Sequence, residues 1–497
     1  MTIHITVDTQ AERTPFPHFW ELCVGSCHAV MGLRADWRRQ LKIAHQELGF
    51  RYVRFHGLLD DAMSVVVKDQ WSGAVRLSFF NIDSIFDYLL SIGMKPFLEL
   101  GFMPSALASG TQTCFHYKAN VTPPADYDQW GGLIQSLARH LVSRYGIEEV
   151  RSWFFEVWNE PNLPFFWAGT KEDYFKLYET AARAIKSVDS QLRVGGPATS
   201  VNAWIPDMIA FCQHSRAPLD FISTHHYPTD DPLWRNNDLS WEDFMKVAGQ
   251  YQRGVLFQMT AKARAEAGKL PLYYTEWNTS AMVPDALHDE SFSAAMIAKT
   301  IADAAGLVEG YSFWTFTDLF EEGGQHAAPF HGGFGLQTVH GIRKPNYRLF
   351  ELLHETGDQR LKVDVDSGSA STDHSSVGCS SSAEALAVAG DHSLTVLVYN
   401  HDTPSASIKE EEVHLRLKGI GTRRPARLVR IDPQHANPKK KWQALGSPEY
   451  PTKDELAQIA RASALVASVI RPEVGEEGCT FRLKIPPHGV AAVVVEV

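Results

Sequence analysis

No two of the six cysteines form a C-x-x-C pair, and none has histidine companions at zinc spacing. Cys23, Cys27, Cys114, Cys212, Cys379 and Cys479 are dispersed, the pattern of free, mostly buried thiols in a reducing compartment. No stretch approaches the roughly 18 uninterrupted apolar residues of a membrane span. The N-terminus, Met1 to Asp8, alternates apolar and polar like a strand and shows no basic segment followed by an apolar one, so no signal peptide is visible and a cytoplasmic location is expected. Positive charge is the minority sign. The 47 Lys and Arg against 58 Asp and Glu leave a net charge of -11, which argues against nucleic acid or an anionic membrane as partner. Monomer and homo-oligomer stay equally open.

At 497 residues the chain is long enough for more than one domain, one of them a barrel. From residue 15 to 355 short apolar runs alternate with amphipathic stretches. The strand-like runs are 19–24, 52–55, 96–100, 153–157, 192–195, 221–224, 272–275 and 311–316. Between them, 36–48 carries Trp37, Leu41, Ala44 and Leu48 on one helical face and is closed by Gly49. Ile82, Ile85, Phe86 and Leu89 repeat the stripe in 81–92, and 127–145 and 174–185 continue it. Eight such units predict an α/β fold, a (β/α)8 TIM barrel with helices outside. No glycine-rich phosphate turn follows the first run, against a doubly wound sheet.

An active site in such a barrel gathers at the C-terminal strand ends. Two of those ends carry glutamates in aromatic surroundings, Phe155-Glu156-Val157-Trp158-Asn159-Glu160-Pro161-Asn162 and Tyr274-Thr275-Glu276-Trp277-Asn278. A carboxylate pair facing one pocket is what retaining glycoside hydrolysis requires, one member protonating the leaving oxygen and the other attacking the sugar. Other strand ends offer Arg54-Phe55-His56-Gly57, His225-His226-Tyr227, Trp314 and Glu321-Glu322. Thirteen Trp and fifteen Tyr supply flat faces suited to sugar rings, although packing accounts for most of them. The substrate expected is a small oligosaccharide or glycoside, since polymers do not enter cells.

Beyond residue 358 the texture changes. Residues 366–383, rich in Ser and Gly, read as a loop. Alternating strands follow at 385–389, 394–399, 413–417, 426–431, 481–485 and 490–497, with one helix around 453–465. Residues 1–14 and 356–497 are expected to form an antiparallel β-sandwich accessory domain beside the catalytic barrel of 15–355. Lys439-Lys440-Lys441 reads as a solvated loop.

The two glutamate motifs resemble those of clan A glycoside hydrolases, and more specifically of family 39 and its bacterial β-xylosidases. The likeness extends to Arg54-Phe55-His56-Gly57, to Phe115-His116-Tyr117-Lys118 with Asn120-Val121-Thr122-Pro123-Pro124, to Ser223-Thr224-His225-His226-Tyr227-Pro228, and to Ser312-Phe313-Trp314-Thr315-Phe316-Thr317-Asp318 with Glu321-Glu322. It covers nearly the whole chain, less specifically in the sandwich. The resemblance implies an exo-acting β-xylosidase that retains anomeric configuration, with Glu160 as acid/base and Glu276 as nucleophile. His56, His225 and Glu322 resemble the family's sugar-hydroxyl ligands, and Trp314 stands with them. Asn159 is suited to a hydrogen bond with the sugar 2-OH, and Tyr227 to donating its phenolic hydrogen to Glu276. Of the adjacent histidines only one should face the site, since neighbours on a strand point to opposite faces.

No cofactor and no metal is expected, because carboxylates and water carry both steps. Three other readings compete: another specificity in the family, such as an α-L-iduronidase, which would call on Arg54 and Lys118 to clamp a carboxylate; a metal hydrolase using His56, His225, His226 and His331; and a non-catalytic sugar-binding module, which needs no carboxylate pair.

Overall fold

A computed structural model of the protein describes residues 2–236, 238–366, 381–420 and 425–496. Eight parallel strands close into a barrel in chain order: β1 (Cys23–His28), β2 (Tyr52–His56), β3 (Lys95–Leu100), β4 (Phe154–Val157), β5 (Arg193–Thr199), β6 (Phe221–His225), β7 (Leu272–Trp277) and β8 (Gly310–Phe313). Amphipathic helices surround it. Ala35–Leu48 buries Trp37, Leu41, Ala44 and Leu48 and ends on Gly49 at φ 75°, a left-handed cap that a Cβ would strain. Lys171–Val188 begins with a capping box in which Thr170 and Asp173 satisfy each other's backbone N–H.

The barrel interior is layered, because residues two apart on a strand share a face. Cys23, Phe97, Phe154 and Phe221, with Tyr52 and Tyr273 beside them, form an apolar plug. Two positions further along the same strands stand Gly25, Glu99, Glu156, Ser223, Arg54 and Thr275. The sequence therefore places a polar layer directly on the aromatic one, toward the strand ends. At the opposite end Glu21 Oε1 accepts from His18 and His354 at 2.6 and 2.8 Å, tying the first turn to the end of the helix Pro345–His354.

The first strand lies later than the apolar run 19–24 suggests. Phe19–Glu21 is a 3-10 turn, and β1 begins at Cys23. Phe19 and Trp20 pack with Phe16 instead of pairing in the barrel, and a short apolar run does not by itself separate the two outcomes. Likewise β8 stops at Phe313, three residues before the run ends, and Trp314 N–H turns to Trp277 O.

Two further sheets pack face to face. One orders Val363–Asp366, Thr2–Asp8, Glu411–Lys418, Gly478–Ile485 and Glu473–Gly475; the other has seven strands centred on Ala383–Ala389, Ser393–Asn400 and Val490–Glu496. Along Ser393–Asn400, Val396 and Val398 face the five-stranded sheet, while Leu397 and Tyr399 join the core under the barrel helix Ser291–Ala304. The sandwich is antiparallel with one exception: Thr2–Asp8 runs parallel to Glu411–Lys418, because the first strand enters between two strands supplied by the far end of the chain. Of the residues 366–383 read as a loop, 367–380 lie outside the described residues, as does Cys379; the five described cysteines are free and buried.

The lysine run is a correction. Lys439, Lys440 and Lys441 lie on the helix Pro438–Ala444, whose N-cap Asn437 accepts from Lys440 N–H. Lys439 is buried, paired with Glu290 at 2.6 Å and donating to Ala286 O. Pro438 at the first helical turn is the signal for it.

Ile5 is fully buried among Val413, Leu415 and Phe481. Ile5→Ala is expected to cost about 2–5 kcal/mol of stability, measured by urea unfolding, although it lies in the first strand of a 497-residue chain.

Candidate active site

Arg54 enters the polar layer from β2 with no exposed surface. Its Nε meets Glu156 Oε2 at 2.5 Å, Nη1 meets Glu276 Oε1 at 2.8 Å, and Nη2 reaches Glu99 Oε2 at 3.0 Å and Asn159 Oδ1 at 2.9 Å. One guanidinium thus serves three buried carboxyl groups and fixes the Asn159 amide. Beside it His56 Nδ1 lies 2.6 Å from Glu99 Oε2, and its Nε2 is 3.6 Å from both Glu276 Oε1 and Glu322 Oε1. Trp314 closes this side, 4.6 Å between ring centroids from His56. Gly25 permits that placement, since a Cβ there would meet Trp314 Cε3 at 2.4 Å.

Glu276 lies within β7. Its Oε1 accepts from Arg54 and its Oε2 from the Tyr227 hydroxyl at 2.9 Å, so each oxygen has its own donor. Glu160 stands three residues past β4, in a segment where Trp158 and Glu160 have φ of 73° and 43°. That left-handed backbone is held by Glu160 N–H to Ala198 O at 2.8 Å and by Asn162, whose side chain bonds both backbone groups of Ser200. The Asn-Glu-Pro-Asn sequence is therefore a brace for the carboxyl between its asparagines. Glu160 Oε1 lies 3.0 Å from His225 Nδ1, and one oxygen each of Glu160 and Glu276 lie within 4.8 Å of each other and of His225.

The two carboxyl groups differ in surroundings. Burial and then the charge of Glu276, with further contributions from Asp230 and Glu322, hold Glu160 well above the usual carboxyl range against the opposing pull of Arg54. Glu322 is raised in the same way by burial, Glu276 and Glu99, and its Oε1 is buried without a hydrogen-bond partner. Burial lifts Asp230 to about 7. His225 is driven well below its ordinary value by burial and by Arg54, His56 and His226.

The structure brings Glu160, Glu276, His56, Asn159, His225, Tyr227, Trp314 and Glu322 into this one constellation. His226 points away, its Nε2 2.5 Å from Tyr311 Oη and its ring stacked on Tyr274. His331 is elsewhere, bonded to Ala328 O. The four histidines of the metal reading therefore do not converge. Glu160, His225 and Glu276 are close enough to share a cation, yet the nearest oxygens and nitrogen are already bonded to one another or to Arg54 and Tyr227.

Several participants are not at strand ends and are passed over by a reading confined to those ends. Glu99, Glu156 and Thr275 lie inside β3, β4 and β7. The signal available is a charge embedded in an apolar run, Phe97-Leu98-Glu99-Leu100 and Phe154-Phe155-Glu156-Val157. His28 does stand at a strand end, that of β1, and is passed over as well. It stacks on Tyr117 at 3.8 Å, with Nδ1 2.9 Å from Glu321 Oε1 and Nε2 bonded to Asp60, joining the loops after β1, β2 and β8.

The family model described as "Glycosyl hydrolases family 39" matches residues 3–477. The chain is 50% identical over 495 residues to a β-xylosidase of Caldicellulosiruptor saccharolyticus, covering 99% of this chain and 98% of that one. It is 35% identical over 456 residues to a β-xylosidase of Geobacillus stearothermophilus, covering 90% and 87%. Among solved structures, a GH39 β-xylosidase from Caulobacter crescentus superposes with a TM-score of 0.80 at 32% identity, covering 99% of this chain and all of that one.

Burial alone would lower the pKa of His28, but the hydrogen bonds to Asp60 and Glu321 outweigh it and raise it from 6.5 to about 9. The folded state then holds this proton more tightly than the unfolded chain, so the stabilisation is complete below pH 6.5 and is lost as pH rises through about 9. Unfolding of His28→Gln and the parent should differ by at most about 3 kcal/mol near pH 6, and the difference should close by about pH 10.

Proposed function

The chain belongs to glycosyl hydrolase family 39, and on that premise we propose that it is a retaining, exo-acting β-xylosidase that releases xylose from the non-reducing end of xylo-oligosaccharides or β-xylosides. Relatives bearing that name at 50% and 35% identity support the sugar. The observation that carries the mechanism is the carboxyl pair itself, with oxygens within 4.8 Å and opposite hydrogen-bonding environments. Retaining enzymes separate their carboxyl groups by about 5–5.5 Å, and inverting ones by about 6.5–9.5 Å to admit a water.

In this reading Glu276 attacks the anomeric carbon while Glu160 gives its proton to the glycosidic oxygen. Arg54 and Tyr227 hold Glu276 by separate oxygens, so the attacking oxygen is aimed by the barrel wall. Esterification of Glu276 removes the charge that raises Glu160, whose carboxylate then deprotonates the water that releases xylose. With its oxygen held by Arg54, the Asn159 amide keeps its N–H donors for the sugar 2-OH, where a bond strengthens as the oxocarbenium ion develops. His56 Nε2 and Glu322 Oε1, the latter without a hydrogen-bond partner, are the ligands for the remaining hydroxyls, over Trp314, whereas His225 acts through Glu160, both its ring nitrogens being bonded within the protein. The proposed setting is the cytoplasm, with small imported glycosides as substrates.

The iduronidase reading loses its clamp. Arg54 is spent on Glu99, Glu156 and Glu276, and Lys118 is exposed.

A panel of aryl glycosides should show fastest turnover of the β-xyloside; preference for an iduronide or hexoside would redirect the sugar assignment. Glu160→Ala should retain glycosylation by substrates with good leaving groups, lose about 10²–10⁴-fold in deglycosylation, and recover with azide to give the retained glycosyl azide. Glu276→Ala should be inactive on every β-glycoside, and any azide rescue should yield the inverted product. The reverse product pattern would exchange the two roles. Activity should survive excess chelator; its loss and restoration by a divalent ion would favour the metal reading.

A further inference from the structure

A chain of hydrogen bonds leads away from Glu160 into the barrel. Its Oε1 lies 3.0 Å from His225 Nδ1; His225 Nε2 lies 3.0 Å from Thr275 Oγ1; and Thr275 Oγ1 donates to Glu156 Oε1 at 2.7 Å. None of His225, Thr275 and Glu156 is exposed by more than 1%. We propose that Thr275, its hydroxyl proton committed to Glu156, holds His225 in the Nε2–H tautomer and so turns a bare Nδ1 lone pair toward Glu160, making Thr275 and Glu156 positioning residues for the protonated form of the acid/base. The inference rests on the reading of Glu160 as that acid/base.

Counting protons leads to it. Glu156 Oε2 takes Arg54 Nε–H at 2.5 Å and Oε1 takes the threonine hydroxyl, so both oxygens accept, and the upward push that burial gives its pKa is opposed by the Arg54 charge and the threonine bond. A hydroxyl has one hydrogen. With that hydrogen spent, Thr275 Oγ1 can only accept from His225, and Nε2 must carry the N–H. His225 is buried and faces Arg54, His56 and His226, which disfavour a second ring proton. Nδ1 is then an acceptor, and its contact with Glu160 is made by a carboxyl O–H.

Once Glu160 has given up that proton, its lone pairs face that of Nδ1. No proton is left in the chain to bridge them: Nε2–H is bound to Thr275 Oγ1 and the Oγ1 hydrogen to Glu156 Oε1, so Nδ1 could be protonated only by taking up a further proton. That proton would make His225 an imidazolium, which its burial and the nearby Arg54 disfavour. The chain therefore favours Glu160 as a carboxylic acid at rest and makes its carboxylate a stronger base in the second step. The other groups acting on Glu160 come from different elements: Glu276 from β7, Asp230 after β6 and Glu322 after β8 favour its proton, and Arg54 from β2 opposes it.

Thr275→Val preserves the side chain's shape and removes the acceptor. His225 should then move its proton to Nδ1 and donate to the Glu160 carboxylate. The alkaline limb of the kcat/KM profile on an aryl β-xyloside should shift down by about one pH unit, about a tenfold loss on that limb, while the acid limb stays. Thr275→Ser should restore it. A role confined to packing would lower kcat or stability and leave the limb in place, and that result would overturn the proposal. The parent protein gives a test independent of folding and turnover. Long-range 15N–1H correlation spectra, with the His225 signal identified by its loss in His225→Gln, should show the Nε2–H tautomer; an Nδ1–H tautomer or an imidazolium would overturn the relay. Absence of hydrolysis with every aryl glycoside would refute the proposed function instead, and the spectra would still decide the tautomer.

Discussion

The guanidinium of Arg54, fully buried and bonded to Glu99, Glu156 and Glu276, is the interaction on which the rest of the site depends. Buried carboxyl groups in one small volume cannot all ionise, because each charge raises the cost of the next. The nearby cation decides where negative charge is tolerated. Glu276 receives a guanidinium N–H on one oxygen and a phenol on the other, whereas Glu160 meets only an imidazole nitrogen. Two glutamates of one type thereby acquire different donors and surroundings from position alone, and an acid and a nucleophile are what a two-step displacement needs.

The barrel makes this concentration of charge possible. The aromatic plug seals the barrel below, and the carboxyl layer rests on it two residues further along the same strands. The strands pair in register, so Glu99 lies beside Glu156. Substituting Arg54 would leave three buried carboxyl groups without their common partner, so its importance for folding and for the site cannot be separated by one substitution.

Much of this is legible in the sequence, for reasons that also mark the limits. Eight alternating apolar and amphipathic segments give the barrel, since a helix such as Ala35–Leu48 writes its buried face at fixed spacing. Polar groups at strand ends stand out against apolar runs, which is why Glu160, His225 and Tyr227 are visible. Arg54 is visible too, but its three carboxyl partners come from separate strands, and pairing across a barrel leaves no local spacing to read. Glu156 stands out only as a charge in an apolar run and Thr275 looks like an ordinary strand residue until the fold sets His225 between them and Glu160. Phe19 and Trp20 mislead for the opposite reason: their apolar pattern fits a strand, and only packing against Phe16 turns them into a 3-10 turn. The parallel seat of Thr2–Asp8 likewise depends on a strand supplied some 400 residues away.

The central claim is that Arg54 keeps Glu276 available as a nucleophile while Glu160 holds the proton, so that the sugar is transferred to the protein and then to water. The anomeric configuration of the first product tests this most directly. Followed by 1H NMR during rapid hydrolysis of an aryl β-xyloside, the account predicts that β-xylose appears first and the α anomer follows only at the rate of mutarotation. Initial release of α-xylose would mean a single displacement by water and would contradict it.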